Sequence, residues 1–119
     1  MRILITDKSY GGDIALERAT AGSDASFDVF EDGAEVTDEA WREADAILTF
    51  RCTPLVTSKI ESLERCRIIV RGGVGFDGLD LAGFGERGVA ICNVPDYGTT
   101  EVADHAIALV LALRRGIAS

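Results

Sequence analysis

The sequence predicts one α/β domain built on a parallel β-sheet. Its 119 residues are the length of a single domain. Hydrophobic residues make up 47% of the chain, which is enough to bury a core. Short β-branched runs alternate with segments of helical pattern, and parallel strands need such helical crossovers between them. These observations favour a sheet that is covered by helices on both faces.

The predicted strands are short apolar runs rich in β-branched residues. They lie at residues 2–6, 26–30, 46–50, 67–70 and 89–92. Each run has the length and composition of a buried strand and is followed by polar or turn-forming residues. Five strands separated by helices predict a flavodoxin-like architecture, a parallel five-stranded sheet with helices on both faces.

Helices are predicted between the strands and at the end of the chain. They lie over residues 14–21, around Trp41 and Ala44, from about residue 57, over residues 79–87 and over residues 99–115. Thr37 is a typical N-cap for the second helix. Ser58 and Glu61 have capping-box spacing, which predicts that the third helix begins near Thr57.

The last predicted helix does not suit the surface of a finished small domain. Residues 106–113, AIALVLAL, contain no polar side chain over more than two turns, whereas a surface helix keeps a polar face. Arg114, Arg115 and Gly116 are typical of a helix end. We therefore expect a complete helix that needs apolar partners on more than one side.

This helix suggests a division of the chain. Residues 1–98 form the predicted domain, and residues 99–119 form a helix that crosses toward further chain or another subunit. If that partner is missing, we expect self-association through residues 99–115, because exposed apolar surface drives chains together.

The charge balance excludes some classes of partner. Lys and Arg number 12 against 20 Asp and Glu, which gives a net charge of -8 and a pI near 4.5. Non-specific binding to nucleic acid or to an anionic membrane needs a basic surface. We therefore expect no nucleic-acid partner and no membrane partner.

The cysteines and the apolar runs indicate the compartment. Cys52, Cys66 and Cys92 are an odd number without CxxC spacing, so we expect reduced thiols and neither a disulfide framework nor a zinc site. The N-terminus lacks the pattern of a secretory leader, and the longest apolar run is far too short to span a membrane. These features predict a cytoplasmic protein.

A glycine-rich loop follows the fourth predicted strand. Gly73, Gly75 and Gly78 spell GxGxxG, the fingerprint of a dinucleotide site. That fingerprint usually follows the first strand and opens a full-length helix, and neither holds here. Two other interpretations remain: a tight turn that needs glycine, or a small-anion site. In the second, the backbone N–H groups of Gly73, Val74 and Gly75 bind a carboxylate at the carboxyl end of a strand.

The loop and the segments after it resemble a known family. The resemblance is carried by residues 66–80, CRIIVRGGVGFDGLD, residues 87–95, RGVAICNVP, residues 101–105, EVADH, and residues 113–115, LRR. These motifs are similar to those of the NAD-dependent D-isomer specific 2-hydroxyacid dehydrogenases, in the branch of the C-terminal-binding proteins and phosphoglycerate dehydrogenases. The similarity is dense from residue 47 to residue 115 and looser before it.

The resemblance implies a substrate site in this loop. In the family, the positions that match Gly73, Val74, Gly75 and Phe76 present backbone N–H groups to the carboxylate of the substrate, and the position of Val74 is also close to the cofactor. Gly78 stands where the family more often has asparagine, so the third glycine of the apparent fingerprint is a coincidence. The small-anion interpretation of the loop and the resemblance agree.

The resemblance also points to positions outside the loop. Val102 matches a position near the nicotinamide, and Arg51 matches a strand-end position that faces the cleft in some members. A plain surface arginine remains the alternative for Arg51. His105 does not match the catalytic histidine of the family, so we expect it to pack at a helix seam. The catalytic residues and the pyrophosphate fingerprint of the family lie beyond the matched region, and we expect none of them in this chain.

These observations predict the substrate domain of an NAD-dependent or NADP-dependent oxidoreductase that acts on a small D-2-hydroxy acid or 2-keto acid. Cofactor binding is then expected mainly from another domain. The chain alone is expected to be inactive.

Two other functions remain open at this stage. One is a freestanding flavodoxin-like binding module, although the strand ends lack the acidic acceptor of a phospho-receiver and the Ser-rich loop of a flavin carrier. The other is a non-enzymatic, corepressor-like interaction domain, which an apolar groove between the first helix and the sheet would favour.

Overall fold

The computed structural model describes residues 1–8 and 13–117. A five-stranded sheet with the order β2-β1-β3-β4-β5 forms its centre, and each pair of neighbouring strands is parallel. The strands are β1 (Arg2–Ile5), β2 (Ser26–Val29), β3 (Ala46–Thr49), β4 (Ile68–Arg71) and β5 (Ala90–Asn93). The predicted parallel five-stranded α/β fold is confirmed.

Five α-helices connect and follow the strands. They are α1 (Ala15–Ala21), α2 (Asp38–Glu43), α3 (Thr53–Ser58), α4 (Leu81–Glu86) and α5 (Thr99–Arg115). Two 3₁₀ turns, Gly33–Glu35 and Ile60–Ser62, complete the regular structure of the described residues. Thr37 caps α2 as predicted, since its hydroxyl oxygen accepts a hydrogen bond of 3.2 Å from the N–H of Ala40.

The predicted start of the third helix is wrong. The helix begins at Thr53, four residues before the predicted start, and Pro54 occupies its first turn, where a missing N–H costs nothing. Ser58 ends this helix and donates its hydroxyl to the carbonyl of Leu55 at 2.7 Å, so it caps nothing. Glu61 belongs to the following 3₁₀ turn. The capping-box spacing was a coincidence.

The helix after the glycine loop is shorter than predicted. It begins at Leu81 because Asp80 caps it, with a carboxylate oxygen that accepts a hydrogen bond of 3.0 Å from the N–H of Gly83. Residues 72–79 remain loop and turn. The longer loop leaves more backbone free at the end of β4.

One face of the sheet carries the core. Leu4, Ile47 and Ile69 lie side by side on neighbouring strands and are completely buried. Helices α2, α3 and α4 cover them, with Trp41 and Phe84 as the largest buried side chains. We call this the covered face.

The other face carries the next row of residues, because side chains alternate along a strand. Ile5, Leu48, Val70 and Cys92 are aligned on it, and all but Ile5 are at least partly exposed. Helix α1 lies over its β1–β2 side, where Arg18 stacks on the ring of Phe27 at 5.2 Å. We call this the open face; helices lie on both faces, but they cover them unequally.

Helix α5 extends away from the sheet. Its bounds agree with the prediction, and Gly116 ends it with a φ of 67°. Every side chain of α5 is exposed except the half-buried Ala112. The radius of gyration is 17.5 Å, against about 14 Å for a compact domain of this length. The division at residue 98 stays a prediction, and residues 118–119 lie outside the described chain.

Among the described residues, no helix is long and apolar enough to cross a membrane.

Candidate functional site

The carboxyl ends of four strands meet at one edge of the sheet. Asp7 lies two residues after β1, Phe50 and Arg51 follow β3, and residues 72–78 follow β4. Residues 94–97 follow β5 and lead toward α5. Ligands of parallel α/β sheets bind at this edge, since the loops that leave the strands converge there.

The glycine loop is fixed on both sides by hydrogen bonds. The N–H of Gly72 donates to the carbonyl of Thr49 at 2.8 Å, which attaches the loop to β3. On the other side, the Asn93 side-chain amide donates to the carbonyl of Val74 at 2.8 Å, and the N–H of Val94 donates to the carbonyl of Gly73 at 3.1 Å. The loop therefore has a defined shape before any ligand binds.

This shape leaves three consecutive N–H groups available. The N–H of Gly73 donates to the carbonyl of Arg71 at 2.8 Å. Among residues 1–8 and 13–117, no acceptor faces the N–H groups of Val74, Gly75 and Phe76. Adjacent unpaired N–H groups on an exposed loop are suited to bind a carboxylate. Of the predicted set, Gly73 thus supports the loop, and the other three offer the donors.

Two side chains lie close to the backbone at the start of the loop. A Cβ atom at Gly72 would collide with the ring of Phe50, and one at Gly73 would collide with the guanidinium group of Arg71. The Nε of Arg71 is buried without a hydrogen-bond partner in the described chain. A positive charge therefore lies directly against the backbone of the loop.

Arg51 projects from the neighbouring strand end. Its side chain is 69% exposed. Its Nη2 donates to the carbonyl of Lys8 at 3.4 Å, and its Nε lies 3.7 Å from the buried carboxylate of Asp7. The structure thus places Arg51 at the same edge as the glycine loop, one residue beyond the Phe50 ring that covers Gly72.

A cavity of about 320 Å³ opens at this edge. It is lined by Phe50, Gly72, Val94 and Tyr97. Its walls are mostly apolar. Arg51 and the glycine loop directly follow the lining residues Phe50 and Gly72 in the sequence. Such a combination suits a small organic anion with a short carbon chain.

Val102 and His105 are not part of this cavity. Both line a shallow groove formed by α5 itself, together with Glu101, Ala106 and Leu109. Val102 lies in the first turns of the helix and is 70% exposed. Its cofactor role stays a prediction.

The described residues do not fit the pyrophosphate group of a dinucleotide. Gly78 packs against α3, where a Cβ atom would collide with the Thr53 side chain. Helix α4 has only six residues, and Asp80 already binds the N–H of Gly83 in its first turn. The apparent GxGxxG fingerprint is therefore not a dinucleotide loop. Among the described residues, no group of three or more His, Cys, Asp or Glu side chains could hold a metal ion.

The three thiols differ in environment. Burial raises the pKa of Cys66 to about 11, and Cys52, at the start of α3, also has a pKa raised by burial. Cys92 is exposed on the edge strand β5. None of the three is paired in the structure described here.

Sequence reasoning missed three residues of this edge: Asp7, Phe50 and Tyr97. The strand pattern marks Asp7 only as the end of a strand, although a carboxylate directly after a buried apolar run is a signal for a buried polar contact. Phe50 and Tyr97 gave no usable signal, because nothing in the sequence distinguishes an aromatic residue of a site from one of the core. Their role depends on which strands are neighbours.

A parallel α/β domain with a glycine loop of unpaired N–H groups at its carboxyl edge is the class of protein that fold and site define. The catalytic-domain model of the D-isomer specific 2-hydroxyacid dehydrogenases matches residues 3–117. The chain therefore belongs to this family, as its motifs predicted.

Individual relatives agree. The chain is 30% identical over 118 residues to D-3-phosphoglycerate dehydrogenase 2 of Arabidopsis thaliana, covering 98% of this chain and 18% of that protein. It is 32% identical to a solved NADPH-dependent glyoxylate/hydroxypyruvate reductase of Sinorhizobium meliloti in complex with NADP and malonate. That similarity has a TM-score of 0.71 and covers 93% of this chain and 33% of the reductase.

A more distant structure confirms the fold. The D-lactate dehydrogenase of Aquifex aeolicus, solved with NAD and lactic acid, superposes with a TM-score of 0.81 at 22% identity. The similarity covers 95% of this chain and 33% of that enzyme. This chain thus spans a third of these two solved enzymes and less than a fifth of the plant relative.

Proposed function

We propose that this chain is the substrate-binding part of an NAD-dependent or NADP-dependent oxidoreductase acting on a small D-2-hydroxy acid or its 2-keto acid. The free N–H groups of Val74, Gly75 and Phe76 carry this proposal, since they form a ready binding place for the carboxylate. The Sinorhizobium reductase was solved in complex with malonate, and a dicarboxylate bound by a relative supports a carboxylate ligand here.

The side chains around the loop give it selectivity. Arg51 supplies a positive charge from β3, and Arg71 supplies a second one beneath Gly73. Both charges favour an anion at this edge. The apolar wall at Phe50 and Tyr97 accommodates the carbon chain and limits its length.

The redox chemistry belongs to a nicotinamide cofactor. We propose that a separate domain binds it for the most part, because the residues described here do not fit its pyrophosphate. Val74 and Val102 are the proposed contacts from this chain. We assign no catalytic residue to these 119 residues. The isolated chain is then inactive, and NADH oxidation with glyoxylate, pyruvate or hydroxypyruvate would contradict this.

A single substitution tests the site. A side chain at Gly75 has room, since its Cβ would meet only Asp77 at 3.6 Å, but it would cover the N–H groups of the loop. We expect Gly75→Leu to fold normally and to weaken pyruvate binding at least tenfold, measured by NMR titration of the backbone amides. Gly85→Leu is the matched control, because a Cβ at that position has open space among the described residues. Equal binding by both variants would refute the site.

We also propose that the chain self-associates through α5, residues 99–115. The large apolar side chains of this helix are more than half exposed, including Val110 at 64% and Leu113 at 78%. Their burial in a dimer gains roughly 25 cal/mol for each Å² of apolar surface. Val110→Asp should shift the mass measured by light scattering from dimer to monomer, and a wild-type monomer at high concentration would contradict the proposal.

A second candidate function is protein interaction, because a groove of about 330 Å³ lies between α1 and the sheet. It is lined by Ile3, Leu16, Glu17, Thr20, Ala21, Phe27 and Leu48. Peptide binding that is blocked by Leu16→Asp and unaffected by Gly75→Leu would favour this function. The acidic composition supports a protein with no nucleic-acid partner in either case, and a cytoplasmic location stays a prediction.

A further inference from the structure

The carboxylate of Asp7 is the most heavily bonded buried polar group at the carboxyl edge. Asp7 is 1% exposed. One carboxylate oxygen accepts from the hydroxyls of Thr6 and Thr49, at 2.8 and 3.3 Å, and from the N–H of Phe50 at 3.0 Å. The other accepts from the N–H of Arg51 at 2.7 Å. All four partners donate, so both oxygens of the carboxylate act as acceptors.

These bonds fix the backbone from which Arg51 projects. The N–H groups of Phe50 and Arg51 are the first two after β3, and they bind different oxygens of one carboxylate. This bidentate contact holds the turn in one conformation. The Phe50 ring is thereby kept over Gly72, so the glycine loop depends on the same turn.

Asp7 also contacts the side chain of Arg51. The Nε of Arg51 lies 3.7 Å from the Asp7 carboxylate, and Nη2 donates to the carbonyl of Lys8. Two separate acceptors therefore act on the guanidinium group, while 69% of the side chain stays exposed to solvent. An arginine held at its inner side has little conformational freedom left to lose when it binds an anion.

We propose that Asp7 is a positioning residue that orients Arg51 toward the substrate anion at the carboxyl edge. The proposal rests on the proposed function, because it assigns Arg51 to that same site. Asp7 itself does not contact the substrate. A buried negative charge beside an anion site would repel the ligand, and the guanidinium group of Arg51 lies where it offsets this charge.

A double-mutant cycle in the ¹⁵N-labelled 119-residue chain tests the proposal, with pyruvate as the probe. We expect Asp7→Asn and Arg51→Met each to weaken pyruvate binding about tenfold, and the double variant to bind no worse than either one. A double variant weakened about a hundredfold would mean that the two residues act independently and would overturn the proposal. So would an unchanged dissociation constant in Asp7→Asn.

Asp45→Asn is the matched control. At the opposite edge of the sheet, Asp45 accepts from the backbone N–H of Arg2 at 2.8 Å and from the Arg65 side chain. It therefore has the same kind of contacts without any contact to the site. We expect Asp45→Asn to leave pyruvate binding unchanged. If it weakened pyruvate binding as much as Asp7→Asn does, the effect of Asp7→Asn would reflect a general loss of stability.

The side-chain signal of Arg51 provides a readout without ligand. In the wild type we expect the NMR chemical shift of the Arg51 Nε–H to differ from the shifts of exposed arginines. We also expect this proton to exchange slowly with water. An Nε–H that exchanges as fast as that of a free arginine would overturn the proposal, even if Asp7→Asn fails to fold. If the wild type does not bind pyruvate, the proposed function fails, and this signal still decides whether Asp7 holds Arg51.

Discussion

The two faces of the sheet carry similar apolar residues but differ in how far these residues are buried. On the covered face, Leu4, Ile47 and Ile69 are completely enclosed by three helices. On the open face, Leu48 and Val70 in the next row remain partly exposed. The difference shows that apolar strand residues are not sufficient to form a buried core. Helices must also pack on the face that carries them.

The largest expected difference between the faces is in core stability. Phe84→Ala removes a completely buried ring from the covered face and should lower the free energy of unfolding by about 3–5 kcal/mol. Leu48→Ala on the open face should cost only about 1–2 kcal/mol, because part of that side chain is already in water. Urea unfolding of both variants gives the two values, and equal losses would show that the open face is closed in solution.

A second, kinetic difference is expected between the thiols. Burial raises the pKa of Cys66 on the covered face to about 11, so little thiolate is present at pH 8. Cys92 on the open face is exposed and should be modified first by a thiol reagent. Mass spectrometry of the time course should show one fast site at Cys92, with Cys66 modified only after unfolding. Early labelling of Cys66 would contradict a closed core.

The smallest expected effect concerns the amino edge, which belongs to neither face. The N–H of Arg2, followed by the Arg65 side chain, lowers the pKa of Asp45. A carboxylate with a lowered folded-state pKa stabilises the fold above its unfolded pKa, and this stability is lost as the pH falls through the folded value. Asp45→Asn should therefore lower the free energy of unfolding slightly at pH 7 and leave it unchanged at low pH, which flattens the acid limb of a stability-against-pH curve. An unchanged acid limb would exclude this contribution.

Local patterns predicted the elements whose causes are local. The strands came from runs of β-branched residues, α2 from the Thr37 cap, and α5 from its composition and its terminal glycine. The start of α3 was predicted wrongly, because Pro54 and the packing of Val56 in the core outweighed a matching spacing at Ser58. A spacing predicts a cap only if the preceding residues are not already helical.

The glycine loop was predicted from the sequence together with its ligand chemistry, since glycines after a buried strand are a local signal. The sequence by itself determined the parallel α/β fold, the apolar helix α5 and the glycine loop after β4. Only the tertiary structure decided that the N–H of Gly73 is paired with the carbonyl of Arg71, and that Asp7 binds the turn that carries Arg51. The contact of Asp7 with the N–H of Arg51 joins the ends of β1 and β3 across 44 residues, so no local pattern encodes it. It arises when neighbouring parallel strands bring their carboxyl ends to one edge.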